Sequence, residues 1–457
     1  MNYETLFQDL QNRTIRIALT GANGGFGRSL LVQCRHIKAI QIAALCDLDL
    51  DATRTVLLSL GYPAENLVTC NDAHAVQAAN AQGRIALVSD YRLLDAATLD
   101  IVVEATGNPD ISAQIAVNAI RRGVHVAMVS KETDAVVGPY LNRLALEHKV
   151  VYTTADGDQP SNLIGLVTWA RVLGFEVVAA GKSSEYDYVY DPASGALAYT
   201  DQQHQIPALS DLLSLGQDVP ARLQERRQAI SALPQSATPD YCEMNVVANS
   251  TGLTPACDAL SYPLCRIAEL ADIFVPRADG GILDREGVVD VFNCLRLPEE
   301  ASFGGGVFVV VRCTDSEVWE TLRQKGHVVG RNGKYACIYL PYHLMGLETP
   351  ISLFSAVLHG RPSGSATQEV HAVMAAQTQR QFKAGEVLAM RGHHHNIDGL
   401  KPLLLPAKEA HGVHAPFYLA ANRTLRVDVP AGAIIGLDML ELSDTPLHNA
   451  WKQLDKS

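Results

Sequence analysis

The amino-terminal third of the chain repeats one alternation: a short apolar run, a polar or glycine-bearing turn, then a stretch with helical spacing. The runs are IRIALTG at Ile15–Gly21, IQIAALCD at Ile40–Asp47, LDIVVEATG at Leu99–Gly107, GVHVAMVSK at Gly123–Lys131 and KVVYTTADGD at Lys149–Asp158, with a helical pattern from about Phe26 to Ile37 after the first. Strands that alternate with helices are joined by right-handed crossovers, so their sheet is parallel. Strands this short and this rich in Val, Ile and Ala suit a sheet covered on both faces. The turns that follow them therefore gather at one carboxyl edge, where doubly wound sheets bind their ligands.

From Gln159 the pattern changes. A helix-like SNLIGLVTWARVLG precedes the strand FEVVAAGK, and a polar stretch from Ser183 to Asp240 carries the amphipathic LSDLLSLG and the charged PARLQERRQAISAL, reading as an insertion or flap. GGGVFVVVRC at Gly304–Cys313 and KYACIYLPYH at Lys334–His343 predict strands, and TPISLFSAVLHG predicts a helix. The tail pieces FKAGEVLAMRG, LRVDVPAGAIIG and LDMLEL are short, strand-like and broken by Gly and Pro. The expected fold class is α/β in three regions: a Rossmann-type dinucleotide-binding domain over 1–158, a mixed α/β catalytic or substrate domain over 159–381, and a small β-rich module over 382–457.

Composition narrows the function. A length of 457 residues, 47% hydrophobic and 19% charged, fits two or three globular domains and excludes a collagen-like, fibrous or mainly disordered chain. The 37 basic and 49 acidic side chains give a net charge of -12, which argues against nucleic acid or an anionic membrane as partner. Nine cysteines without a CxxC pair read as reduced thiols of a cytoplasmic protein. The start MNYETLFQDLQNR lacks an apolar core and no apolar run is long enough to span a bilayer, so neither secretion nor membrane insertion is expected. The expected partner is a small-molecule substrate, in a homo-oligomer.

The most informative motif is GANGGFG, Gly21–Gly27, directly after a strand and opening a helix. Its spacing is GxxGxxG, yet the physics matches the dinucleotide fingerprint: glycine allows a tight turn and close backbone approach, and helix-start amides meet a pyrophosphate. Gly21, Asn23, Gly24, Phe26 and Gly27 are the expected cofactor turn. Asp47, at the end of the second strand, is placed to accept the adenosine ribose hydroxyls, favouring NAD over NADP, with Arg54 a partial counterweight. Thr106 and Gly107 in EATGNPD reach the same edge. Lys131 in MVSKE is positioned for the nicotinamide ribose or a substrate oxygen, and Lys182 in AAGKSS for polarising a carbonyl, its charge open to tuning if buried. Asp156 and Asp158 in TADGD share a strand face and suit a divalent cation or acid–base work, with turn-forming aspartates the alternative. Glu243, Asn245 and Asn249 in DYCEMNVVANSTGLTP are either catalytic or structural. His343 and Glu348 have no ligand spacing, and His393–His395 either chelate a metal or form a solvated loop.

With GANGGFG, EATGN, SKETD and TADGD in that order, roughly the first 180 residues resemble the homoserine dehydrogenase-like oxidoreductases. EMNVVANSTGL, YLPYHLMGLETPIS and the tail bring the resemblance closest to the subgroup named for a reductoisomerase-like activity on 1-deoxy-D-xylulose 5-phosphate. That resemblance implies a Rossmann domain, an α/β catalytic domain and a carboxyl-terminal SAF module, with KAGEVLAMRG and LRVDVPAGAIIGLDML matching the SAF pattern. Standard reductoisomerases of isoprenoid synthesis carry NKE and a DxE metal pair; here SKE keeps Lys131 and Glu132, but DGD replaces DxE, so the metal stays open. The implied function is an NAD(P)-dependent oxidoreductase acting on a small hydroxy-carbonyl compound. An isomerising reduction of a sugar phosphate, a homoserine-type or polyol dehydrogenation, and an inactive dinucleotide-binding sensor remain the alternatives. Lys131, Lys182, Asp158 and Glu243 are the expected catalytic residues.

Overall fold

The computed structural model describes residues 1–392 and 394–454 and resolves into two compact units. The first comprises Met1–Ser161, Leu344–Glu369 and the chain from Leu442 onward; the second comprises Asn162–His343 and Val370–Glu441.

The first unit has the expected doubly wound architecture. Its elements run β1 (Ile15–Thr20), α1 (Gly25–Cys34), β2 (Ile40–Cys46), α2 (Leu50–Ser59), β3 (Leu67–Thr69), α3 (Ala73–Ala81), β4 (Ile85–Val88), β5 (Ile101–Glu104), α4 (Pro109–Arg121), β6 (His125–Met128), α5 (Lys131–Glu147) and β7 (Tyr152–Thr154). The strands form one parallel sheet in the order β3-β4-β2-β1-β5-β6-β7. β1 lies at the switch point, because the chain builds outward from it first through β2 and then through β5. Local signals set the helix starts: Asp49 accepts from the Ala52 amide ahead of α2, and Asn108 accepts from the Ile111 amide ahead of α4, whose first residue is Pro109.

Two later segments complete this unit. Helix Thr349–His359 adds Leu353, Phe354, Ala356 and Val357 to the core, where Phe354 meets Phe7 edge to face at 5.5 Å. Helix Pro446–Trp451 packs on α4 and α5. The join is made by Asp156, just past β7. Its carboxylate accepts hydrogen bonds from the hydroxyls of Ser161 (2.9 Å), Ser352 (2.9 Å) and Ser363 (2.5 Å), its amide donates to Ser352 Oγ, and its carbonyl accepts from Thr349 Oγ1.

The second unit is a mixed sheet built on β8 (Val177–Asp191), followed by β9 (Ala196–Tyr199), β10 (Gln202–Gln205), α6 (Val219–Ala229), α7 (Thr238–Thr251), β11 (Val288–Arg296), β12 (Val307–Arg312), β13 (Tyr335–Leu340), β14 (Ala372–Thr378) and β15 (Leu400–Pro406). β8 pairs in parallel with β11 and antiparallel with β12 and β9, and β12 pairs onward with β13. Phe274, Phe292, Phe303 and Phe308 form its aromatic core, with ring centroids 5.0–5.6 Å apart. The strand expected to end near Lys182 instead continues through Tyr188 and Tyr190, whose side chains are buried, so much of the polar stretch after Ser183 is ordered sheet. β15 in the tail pairs antiparallel with β14, which precedes the tail, and short bridges such as Phe382 to Val429 and Val387 to Thr424 give the tail a strand-like, broken character.

One buried acid makes the stability of the first unit pH-dependent. Asp134 on α5 is fully enclosed, and burial pushes its carboxyl up to about 7, with the Tyr152 hydroxyl at 3.0 Å opposing the shift. Gly138, one turn on, has no room for a methyl because Asp134 Oδ1 lies 2.0 Å from where it would sit. The folded state therefore holds a proton that the unfolded chain releases down to about pH 4, and stability rises as pH falls through that window, by about 1.4 kcal/mol per pH unit at its steepest. Asp134→Asn should flatten this dependence. The check is chemical denaturation of both proteins from pH 8 to pH 5; a parent-minus-variant difference that does not change with pH would show Asp134 ionised throughout.

Candidate functional site

The carboxyl edge of the first unit's sheet opens into a cleft of about 710 Å³ lined by Gly21, Gly24, Asp47, Thr106 and, on α4, Ile111 and Ile115. Gly21 closes the turn after β1 with φ +65°, and a Cβ there would lie 2.1 Å from the carbonyl oxygen of Ala105. A Cβ on Gly27 would lie 2.7 Å from Ala22 O, so this glycine is needed for close helix–turn packing. Gly24 differs: the nearest protein atom to its Cβ position is Gly21 O at 3.4 Å, and the residue faces the cleft. Phe26 is buried in the core of the unit.

Asn23 ties this turn to the end of β2. Its amide donates to Asp47 Oδ2 (2.9 Å), its side chain donates to Asp49 O (3.0 Å) and accepts from Thr53 Oγ1 (2.9 Å). The Asp47 carboxylate is thereby fixed at the rim of the cleft. Arg54 is turned elsewhere, donating to Leu67 O and Thr69 Oγ1. The far wall, Ser89 to Arg92, carries no motif that sequence reasoning picks out; Arg92 binds Asp90 through both carboxylate oxygens at 2.6–2.9 Å.

Glu104 is a second residue missed from sequence. It ends β5 fully buried and accepts hydrogen bonds from Thr20 Oγ1 (3.3 Å), the Thr106 amide (3.0 Å), Thr106 Oγ1 (2.6 Å) and Ser112 Oγ (2.6 Å). These bonds fix the turn carrying Thr106 and Gly107, and the Gly107 amide donates to Ser130 Oγ at 2.9 Å. Next to Ser130, Lys131 opens α5 and pairs with Asp158 at 3.2 Å; Asp158 also accepts from the Gln159 amide. Asp156 and Asp158 thus leave the strand two apart as expected but turn to different partners. Among the described residues no group of three or more His, Cys, Asp or Glu side chains is arranged to hold a metal ion.

In the second unit, Lys182 on β8 is 1% exposed and donates to Asp240 Oδ1 (2.6 Å) and to Glu243 Oε2. Asp240 and Glu243 stand three apart on α7 and so share one face. Gly181, on the opposite face of β8, permits close packing of the aromatic core: a Cβ there would meet Asp290 O at 2.4 Å and the Phe308 ring at 2.8 Å. Tyr262 donates to Asp240 Oδ2 at 3.0 Å from a loop in which Leu260 and Tyr262 both hold positive φ, +48° and +45°, an uncommon conformation for side-chain-bearing residues. Burial alone would lower the Lys182 ammonium's pKa, but the two carboxylates more than offset it and raise it. Burial pushes Asp240 up to about 6, against the opposing pull of Lys182 and Tyr262. The lysine is therefore a fixed cation, with one of three N–H donors left beyond the two carboxylates, rather than a tuned proton carrier.

Other candidates serve the framework. Asn249 Oδ1 accepts from the amides of His371 and Ala372, while Asn245 accepts from the Met374 amide and donates to Ala372 O, so the two asparagines clamp α7 to strand β14. The His343 ring packs on Gly305, 2.1 Å from where a Cβ would stand. Burial and then the Asp156 charge raise the Glu348 carboxyl. His394 lies 3.4 Å from Glu185; His393 lies outside the described residues. All nine cysteines are free thiols, and among the described residues no helix is long and apolar enough to cross a membrane.

Residues 157–349 match the family model of the catalytic domain of oxidoreductase DRL. Among solved structures, the chain is similar to a hyperthermophilic archaeal homoserine dehydrogenase in complex with NADPH, at 13% identity and TM-score 0.38 over 76% of this chain and 98% of that one. It is also similar to a probable dehydrogenase from Thermotoga maritima, at 12% identity and TM-score 0.36 over 78% and 91%. A third is a DOX-P reductoisomerase with fosmidomycin and magnesium, at 15% identity and TM-score 0.31 over 52% and 58%. No curated protein matches the sequence.

The glycine geometry gives a direct expectation. Gly21→Ala should destabilise the fold by about 2–4 kcal/mol through its φ and its clash with Ala105, whereas Gly24→Ala should stay within about 0.5 kcal/mol. Thermal unfolding of the two variants checks this; equal losses would mean that Gly24 also has an internal packing role.

Proposed function

We propose that this chain, an oxidoreductase by its catalytic domain, uses a nicotinamide dinucleotide to exchange hydride with a small polar hydroxy-carbonyl substrate. The observation that carries the reading is Gly24. It lies at the start of α1 facing a cleft, with no protein atom near enough to require glycine, so the space its missing side chain leaves is room for a ligand. Phosphate oxygens fit that space, since helix-start amides and the helix dipole both favour an anion.

Within this reading Gly21, Asn23, Gly24, Phe26 and Gly27 shape the pyrophosphate turn, Asp47 takes the adenosine ribose hydroxyls, and Thr106 and Gly107 border the passage toward the nicotinamide. The fixed Asp47 charge repels a 2′-phosphate, so NAD is favoured over NADP. The bound nicotinamide supplies or accepts the hydride. Lys131, held by Asp158, hydrogen-bonds the nicotinamide ribose, and Asp158 is an acid–base candidate on that side. Lys182, whose third N–H is not taken by Asp240 or Glu243, is the group for stabilising alkoxide charge as hydride arrives, and Glu243 the group for exchanging the proton. The substrate class extends to an isomerising reduction of a sugar phosphate such as 1-deoxy-D-xylulose 5-phosphate, with homoserine-type or polyol oxidation using only the hydride step. A cytoplasmic homo-oligomer is supported by the free thiols and by exposed Trp169, Val172, Leu173 and Val318 on the second unit. The tail is read as a SAF-like module.

Calorimetric titration with NADH and NADPH tests the cofactor. Gly24→Val should abolish binding without unfolding the chain, and Asp47→Ser should narrow the preference for NADH by about 1 kcal/mol or more. Undiminished affinity in Gly24→Val would remove the cofactor from this turn, and strong NADPH selectivity in the parent would overturn the role given to Asp47. Once a substrate screen at 340 nm identifies a turnover, Lys182→Met should lower kcat by about 10²-fold or more. Near-normal turnover would move the chemistry away from the buried triad.

A further inference from the structure

The stretch HLMGLETPIS carries a second message beyond its anchorage to Asp156. Gly346 has φ +79°, and a Cβ there would lie 2.8 Å from Ser29 Cβ, 2.9 Å from the Leu30 amide nitrogen and 2.9 Å from Phe26 O. All three atoms belong to the first turns of α1, the helix that starts at the glycine turn. The loop is also held at both ends: a Cβ on Gly157 would meet Leu344 O at 2.4 Å and the Glu348 side chain at 3.0 Å. Behind it, Thr349 and Ser352 bond to Asp156. The backbone from Leu344 to Thr349 is therefore fixed between the end of β7 and the start of α1.

On this fixed backbone three large apolar side chains stand in water: Leu344 is 44% exposed, Met345 37% and Leu347 39%. Such a group, fixed rather than floppy and concentrated in four residues, marks a surface meant to be covered. Its position selects what covers it. The wall of the cleft formed by Asp47 and Ser89 to Arg92 lies on the β2 and β4 side of β1 and takes the adenosine half of a dinucleotide, while Thr106, Ile111 and Ile115 line its β5 side. The loop instead joins the glycine turn to β7, on the opposite side of β1 in the strand order. A dinucleotide pinned at its pyrophosphate by the glycine turn directs its other half, the nicotinamide riboside, to that side.

We infer that Leu344, Met345 and Leu347 form an apolar wall for the nicotinamide ring, so that the LMGLE loop is part of the cofactor site. The inference rests on the dinucleotide reading of the glycine turn. An apolar wall on one face of the ring leaves the other face for substrate and so sets which face exchanges hydride.

The test compares ligands that have the ring with ligands that lack it. The parent and a Leu344→Ala/Met345→Ala/Leu347→Ala variant are titrated with NADH, NADPH, ADP-ribose and 2′-phospho-ADP-ribose by calorimetry, and the fluorescence of the reduced nicotinamide is followed in parallel. The variant should bind the preferred reduced dinucleotide about tenfold more weakly or worse, from lost apolar contact, and should lose most of the fluorescence enhancement. Its Kd for the matching ADP-ribose should stay within about twofold. Weakening of ring-bearing and ringless ligands by the same factor, or of neither, would overturn the wall. Met345→Ala alone, a change at an exposed side chain, gives the same pattern at smaller amplitude should the triple variant fold poorly. Failure of the parent to bind any of the four would instead overturn the dinucleotide reading, and the wall with it.

Discussion

The first unit depends on the carboxylate of Asp156. It stands at the end of β7 and receives three serine hydroxyls, two of them from a segment that returns after nearly two hundred intervening residues. A charged acceptor with several short hydrogen bonds is among the stronger polar anchors available to a fold. It brings Thr349 and Ser352, and through them the LMGLE loop, to the glycine turn. The same turn that shapes the cleft is therefore buttressed from behind by residues remote in sequence.

The second unit relies on charge buried with its partners. Lys182, Asp240 and Glu243 sit together out of water, and Arg226 is fully buried with a two-pronged bond to Glu269 and three backbone carbonyls. Removing one member of such a set leaves an uncompensated charge, so these groups are maintained together or not at all. The two sets differ in use. Arg226 has its donors occupied by Glu269 and by the carbonyls of Leu212, Leu213 and Leu264 and is a structural rivet, whereas Lys182 retains a donor beyond its two carboxylates.

The parallel sheet was legible because period and turn chemistry agree there: IRIALT, IQIAALC and IVVE are mostly apolar and each stops at a polar or glycine turn. Gly21, Asp47 and Lys131 could be picked out for the same reason, as residues that follow strand ends, whereas the strand end read at Lys182 is one that β8 does not have. What stayed hidden is tertiary. Asp240 carries no motif, and only its placement one helical turn before Glu243, opposite Lys182, joins it to the triad. Glu104 sits within an apolar strand, where its role depends on three partners from separate elements. Arg226 lies in a run of charges that reads as a solvated helix face. Asn245 and Asn249 were ambiguous because an asparagine that clamps a backbone and one that binds a substrate have the same composition. The SDYR wall of the cleft bears no glycine or helix-start signature, so only the fold reveals it.

The discontinuity of the first unit has a consequence for the order in which the chain folds. The sheet β1 to β7 is complete by Thr154, but Phe354 and its neighbours, which finish the core beside Phe7, arrive only after Asn162–His343 has been made, and the helix at Pro446 later still. At ribosomal rates of about 5–20 residues per second, the nascent sheet waits roughly fifteen seconds to a minute for its last helices. During that interval the apolar surface later covered by Leu353, Phe354 and Val357 is open, and the second unit is made while the first is still unfinished. An apolar surface left open on a growing chain is available for wrong contacts, so the connectivity of the first unit, and not only the stability of the finished fold, bears on how this chain folds.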